Sequence, residues 1–83
     1  MKVVYSKKLD NVLSKLVLDE KTSYLYIFYN GICISEITDN TWNNIRDCED
    51  WVYSAIISFA VDVYKKKQEG YSSDFYDALA ELD

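Results

Sequence analysis

The sequence predicts a small α+β domain in the order short helix, β-hairpin, long central helix and short C-terminal helix. Three features point there. Asn30-Gly31 stands between two runs rich in β-branched and aromatic residues, and such a pair suits a tight turn because both of its residues tolerate positive φ. The stretch from Trp51 to Tyr64 is apolar around most of a helical circumference, as in a helix at the centre of a domain. At 83 residues the chain can bury one hydrophobic core and not two, so residues 1–83 read as a single domain.

Leu9, Val12, Leu13 and Leu16 recur at i, i+3, i+4 and i+7, with Val17 extending the stripe, and this spacing predicts a first helix over residues 6–18. Its charges oppose the helix dipole, with Lys7 and Lys8 near the start and Asp19 and Glu20 at the end, so it depends on packing more than on intrinsic propensity. The preceding Val3, Val4 and Tyr5 suit a short strand equally well.

Residues 23–37 form the expected hairpin. A two-residue loop sets Tyr29 opposite Ile32, Ile27 opposite Ile34 and Leu25 opposite Glu36, which leaves Tyr24, Tyr26 and Phe28 on the other face with Cys33, Ser35 and Ile37. Both faces are then apolar or aromatic, so one of them needs a partner, a third strand or tolerance of exposure.

Thr38-Asp39-Asn40-Thr41 is rich in capping residues, and residues 42–46 suit a short helical turn. Asp47 and Asp50 offer a second helix start. Beyond it Val52, Ala55, Ile56, Phe59, Ala60 and Val63 make one apolar stripe, and Tyr53, Ile57, Val61 and Tyr64 make another. Lys65, Lys66 and Lys67 complement the C-terminal dipole, and Gly70 suits the residue that ends the helix. Ser72 or Ser73 then caps a last helix with Phe75, Ala78, Leu79 and Leu82 on its apolar side.

The chain has no histidine and a net charge of −5. Nucleophile–base pairs of the Ser-His or Cys-His kind are therefore absent, which points away from an enzyme. Cys33 and Cys48 follow no secretory leader, and a cytoplasmic protein with two reduced thiols is expected. The apolar run in residues 51–64 falls short of the ~20 residues that cross a bilayer. Residues 1–18 carry a net +3 and residues 19–64 a net −6, while residues 68–83 hold five acids and no base. Such a surface repels phosphates and attracts basic proteins, so a basic protein partner is expected rather than direct contact with nucleic acid.

Two sets of carboxylates stand out: Glu36, Asp39, Asp47, Glu49 and Asp50, opposed only by Arg46, and Glu69, Asp74, Asp77 and Glu81. Asp47/Asp50 and Asp74/Asp77 share helix faces at i, i+3, yet they sit on solvent faces where nothing separates their pKa values for acid–base work. Asp39, Thr41, Asn43, Asp47 and Asp50 echo the spacing of a calcium loop, but Asn44 stands where glycine makes the turn and Asp50 where a bidentate Glu closes the site. Gly31 and Gly70 are isolated, so no phosphate loop is present. No cofactor or metal is expected. Tyr24 and Tyr26 are the aromatic residues best placed for a partner, because Tyr is enriched at binding hot spots.

The short helix, the aromatic hairpin turning at Asn30-Gly31 and continuing Ile34-Ser35-Glu36, the long apolar helix and the closing residues Glu69-Gly70-Tyr71-Ser72-Ser73-Asp74-Phe75-Tyr76-Asp77 together resemble the small acidic phage anti-CRISPR proteins that inhibit type II RNA-guided nucleases. That resemblance implies a DNA mimic in the host cytoplasm, with Glu36, Asp39, Asp74 and Asp77 as contacts. The expected function is a non-enzymatic phage or mobile-element protein that binds and inhibits a host nucleic-acid enzyme, its partner contacts drawn from both acidic groups with Tyr24 and Tyr26. The alternative is a self-associating structural or regulatory module, a homodimer formed through the hairpin.

Overall fold

The computed structural model describes residues 1–68. Their order is β1 (Lys2–Leu9), β2 (Val12–Asp19), β3 (Tyr24–Tyr29), β4 (Ile32–Ile37), α1 (Thr41–Ile45) and α2 (Asp50–Gln68). The four strands form one antiparallel sheet in the order β1-β2-β3-β4. The α+β class holds. The expected C-terminal helix, with Gly70, Asp74 and Asp77, lies outside the described residues.

The helix expected over residues 6–18 is instead the β1–β2 hairpin. Asp10 and Asn11 both take positive φ, 53° and 66°, and make the same kind of two-residue turn that Asn30 and Gly31 make at 54° and 78°. Asp and Asn reach this region with less strain than other side chains. Leu9 and Val12 pair directly across that turn, so their i, i+3 spacing arises from a reversal and not from a helical face. Beyond it the alternation is that of a strand: Ser14, Leu16 and Leu18 point to the core, while Leu13, Lys15 and Val17 point away.

The β3–β4 hairpin has Tyr29 opposite Ile32 as expected, but its register shifts between Phe28 and Ile27. Ile27 pairs with Ser35, Tyr26 with Glu36 and Leu25 with Ile37, in place of the expected Ile27–Ile34 and Leu25–Glu36. The extra residue is Ile34, a β-bulge. Its consequence is energetic. Without it Glu36 would face buried Leu25; with it Ile37 takes that place and Glu36 turns outward. β1 carries a second irregularity at Val4. Both bulges lie on edge strands, where they discourage pairing with another sheet.

α2 lies across one face of the sheet. Tyr53, Ile57 and Val61, each four residues apart, are buried against Leu16, Leu18, Leu25 and Ile27. The β1 side of the helix is held by Lys7, whose ammonium donates to the Ser54 and Ser58 hydroxyls at 2.5 and 2.6 Å. Its C-terminal end is held by the Lys65–Asp10 ion pair and by the Tyr64 ring, 5.9 Å from that of Tyr29. α1 is pinned beside it: the Tyr53 hydroxyl donates to the Ile45 and Arg46 carbonyls at 2.7 and 2.9 Å, and Trp42 packs 6.2 Å from the Tyr53 ring. No helix among the described residues is long and apolar enough to cross a membrane.

Candidate functional site

Three surfaces carry the residues of interest. The first is the acidic end formed around the α1–α2 connection. Asp47, Glu49 and Asp50 are exposed; burial of its ring first, and then the neighbouring Cys48, Asp47 and Asp50, push the Tyr53 phenol above its usual pKa. Asp39 caps the turn before α1. Its carboxylate accepts from the Thr41 hydroxyl and from the Thr41 amide at 2.9 Å, and these bonds, the hydroxyl's first, hold it below the ordinary aspartate value. Because residues 41–45 coil into α1 and Asp39 is turned onto Thr41, the calcium-like spacing does not become a cage. Among the described residues no three acidic or thiol groups converge on a metal-sized space.

Asp47 and Asp50 do not share the helix face that their i, i+3 spacing suggests. Asp47 and Glu49 lie in the connection, Asp50 opens α2, and Glu36 sits on β4. What these groups share is freedom from internal cations. The ion pairs among the described residues join Lys65 to Asp10 and Lys66 to Asp62, so none involves Glu36, Asp39, Asp47, Glu49 or Asp50.

The second surface is the sheet face turned away from α2. Tyr24, Tyr26 and Phe28 stand there in a row on β3, opposite Asp19, Val17 and Lys15 of β2. They are half-buried, and Val17 is covered although it lies outside the main core cluster. No element of the described residues is layered on this face. Partial burial first, and then the carboxylates of Glu36 and Asp19, push the Tyr26 phenol above its usual pKa. Asp19 thus joins Glu36 beside the tyrosines. Reading residues 6–18 as a helix hid this, because only the strand register sets Asp19 opposite Tyr24.

The third surface was not anticipated as a site. Of the apolar residues on α2, Tyr53, Ile57 and Val61 are buried in the core, and Ile56 and Ala60 pack against its edge. The rest of the second stripe looks outward, with Phe59 73% and Val63 38% exposed, and Trp51 beside it is 68% exposed. Between this stripe and β4 runs a groove of about 560 Å³ lined by Ile34, Ile37, Ile56, Phe59, Ala60 and Val63, with Lys67 at its end. It is apolar because Ile34 lines it and the bulge there turns Ile37 to the same side. A helix apolar around most of its girth shows in the sequence that some apolar side must stay uncovered; which side depends on where the sheet lies.

Both cysteines are exposed and unpaired. Ser54 and Ser58 meet Lys7, the closest approach of a hydroxyl and an amine in the described residues, and there the ammonium donates to both oxygens, which makes the contact a tie between β1 and α2. Comparison with protein-family models, curated proteins and solved structures returns no match to this chain.

Proposed function

We propose that this chain is a non-enzymatic binding protein of phage or mobile-element type that engages a basic partner in the host cytoplasm and inhibits it. A host nucleic-acid enzyme such as an RNA-guided nuclease is the partner class that its resemblance to small acidic anti-CRISPR proteins favours. One observation carries the reading: Glu36, Asp39, Asp47, Glu49 and Asp50 are exposed and pair with no lysine or arginine among the described residues. Carboxylates left unneutralised steer a basic surface and raise the rate of encounter, while half-exposed aromatic rings supply affinity at close range. Tyr24, Tyr26 and Phe28, with Glu36 and Asp19 beside them, combine both properties on one face. The reading rests on charge and aromatic contact.

The test is binding to a purified RNA-guided nuclease at low and high salt, about 0.05 and 0.5 M, which brackets strong and weak screening. The expected result is a large loss of affinity at high salt, and a comparable loss when Glu36, Asp39 and Asp47 are replaced together by lysine. Unchanged binding under both treatments sinks the reading.

A further inference from the structure

We infer that the outward stripe of α2 seats a second copy of this chain, helix against helix and antiparallel, about a two-fold axis level with Phe59. The stripe is self-complementary in that sense alone. Ala55, Phe59 and Val63 follow at intervals of four, so a two-fold at Phe59 sets each Ala55 against the partner's Val63 and stacks the two Phe59 rings at the centre. Small residues facing larger ones let two helices approach closely on either side of a central aromatic pair. Phe59 borders the groove beside β4, and the partner's ring enters it from the opposite direction.

Charge selects the second copy over another occupant and fixes its direction. α2 begins at Glu49-Asp50 and ends in Lys65, Lys66 and Lys67. Glu49 and Lys67 are eighteen residues apart, which is about five full helical turns, so they lie along the same edge of the helix. Under a two-fold at Phe59 the partner's Glu49 falls within two residues' rise, about 3 Å along the axis, of Lys67. Neither residue has an ion-pair partner among the described residues. A parallel pair would instead stack acid on acid and lysine on lysine, and would align the helix dipoles unfavourably. The dimer leaves the outer sheet face with Tyr24, Tyr26 and Glu36 free and draws only Glu49 of the acidic end into its contact, so self-association and partner binding overlap at that residue alone.

Sedimentation equilibrium of the full chain over roughly a hundredfold range of concentration tests this directly. A reversible monomer–dimer equilibrium is expected, weakened tenfold or more by Phe59→Glu. Glu49→Lys alone and Lys67→Glu alone should each weaken the dimer about threefold to tenfold, since each places two like-charge contacts in the homodimer. Mixing these two variants should restore it, because the mixed dimer has opposite charges at both ends. Native mass spectrometry would show the mixed species in excess over either homodimer. A monomer at every concentration overturns the inference, including the case in which residues 69–83 cover the stripe. So does a dimer indifferent to Phe59→Glu and to the charge reversals, which would place the contact on the hairpin or the outer sheet face.

Discussion

Ile57 and Phe59 are two residues apart on one helix, and both are large and apolar, yet the first is fully buried under the sheet and the second is 73% exposed. The difference lies in what holds the helix. On the sheet side Tyr53, Ile57 and Val61 fit Leu16, Leu25 and Ile27, while Lys7 and Asp10 tie the helix to β1 and to the β1–β2 turn. On the outward side Trp51, Phe59 and Val63 touch no second layer among the described residues. Hydrophobic identity alone does not make a core residue. Position relative to the sheet does, and an apolar stripe left outside that position is available for association.

Mutations that strike one side and spare the other sharpen the contrast. Ile57→Ala should cost about 3 kcal/mol, because it removes buried methylenes and leaves a cavity that the sheet cannot close. Phe59→Ala, measured in dilute solution, should change stability by less than about 0.5 kcal/mol. Denaturant unfolding of the two variants side by side decides it, and equal losses would erase the distinction between the two faces.

A smaller effect probes the buried side itself. Ser14 is fully buried, and its hydroxyl has no hydrogen-bond partner among the described residues. A hydroxyl that loses water without gaining a partner destabilises the folded state. Ser14→Ala should therefore raise stability, by about 1 kcal/mol. A clear loss would mean that the hydroxyl is bonded in solution and that the packing between β2 and α2 differs from the one described.

The smallest effect belongs to the exposed acidic end. Asp39 is held below its ordinary pKa by the Thr41 hydroxyl and amide. A depressed folded-state value contributes stability that is fully present above the unfolded aspartate value of about 3.9 and is lost as pH falls through the lower folded value. Below about pH 4, then, the unfolding temperature of the parent chain should drop more steeply than that of Asp39→Asn. Parallel curves would show that the Asp39–Thr41 contact contributes nothing.

How much of this was legible depends on the kind of signal. The β3–β4 turn was legible because Asn30-Gly31 admits few alternatives, and α2 because its apolar span begins at acids and ends in lysines. β1 and β2 were not, since Leu9, Val12, Leu13 and Leu16 satisfy a helical period by coincidence of a turn at Asp10-Asn11. The misplaced charges of that supposed helix, lysines at its start and acids at its end, were the physical warning. The bulge at Ile34 is set by the need to keep Glu36 out of the core, a conflict visible only once strands are paired. Of the site, the outward placement of Tyr24 and Tyr26 followed from strand alternation. The role of Ser54 and Ser58 as acceptors for Lys7 did not, because it joins residues 47 and 51 positions apart. The exposure of Phe59 depended on tertiary placement that no local pattern contains.

The account depends most on α2 having one face for folding and another for association, and thermal unfolding at several protein concentrations tests that most directly. The unfolding temperature of the parent chain should rise with concentration, that of Phe59→Glu should not, and the two should approach each other at the lowest concentration. If Phe59→Glu instead unfolds far below the parent at every concentration, as an Ile57 variant would, then Phe59 belongs to the core and the division of the helix is wrong.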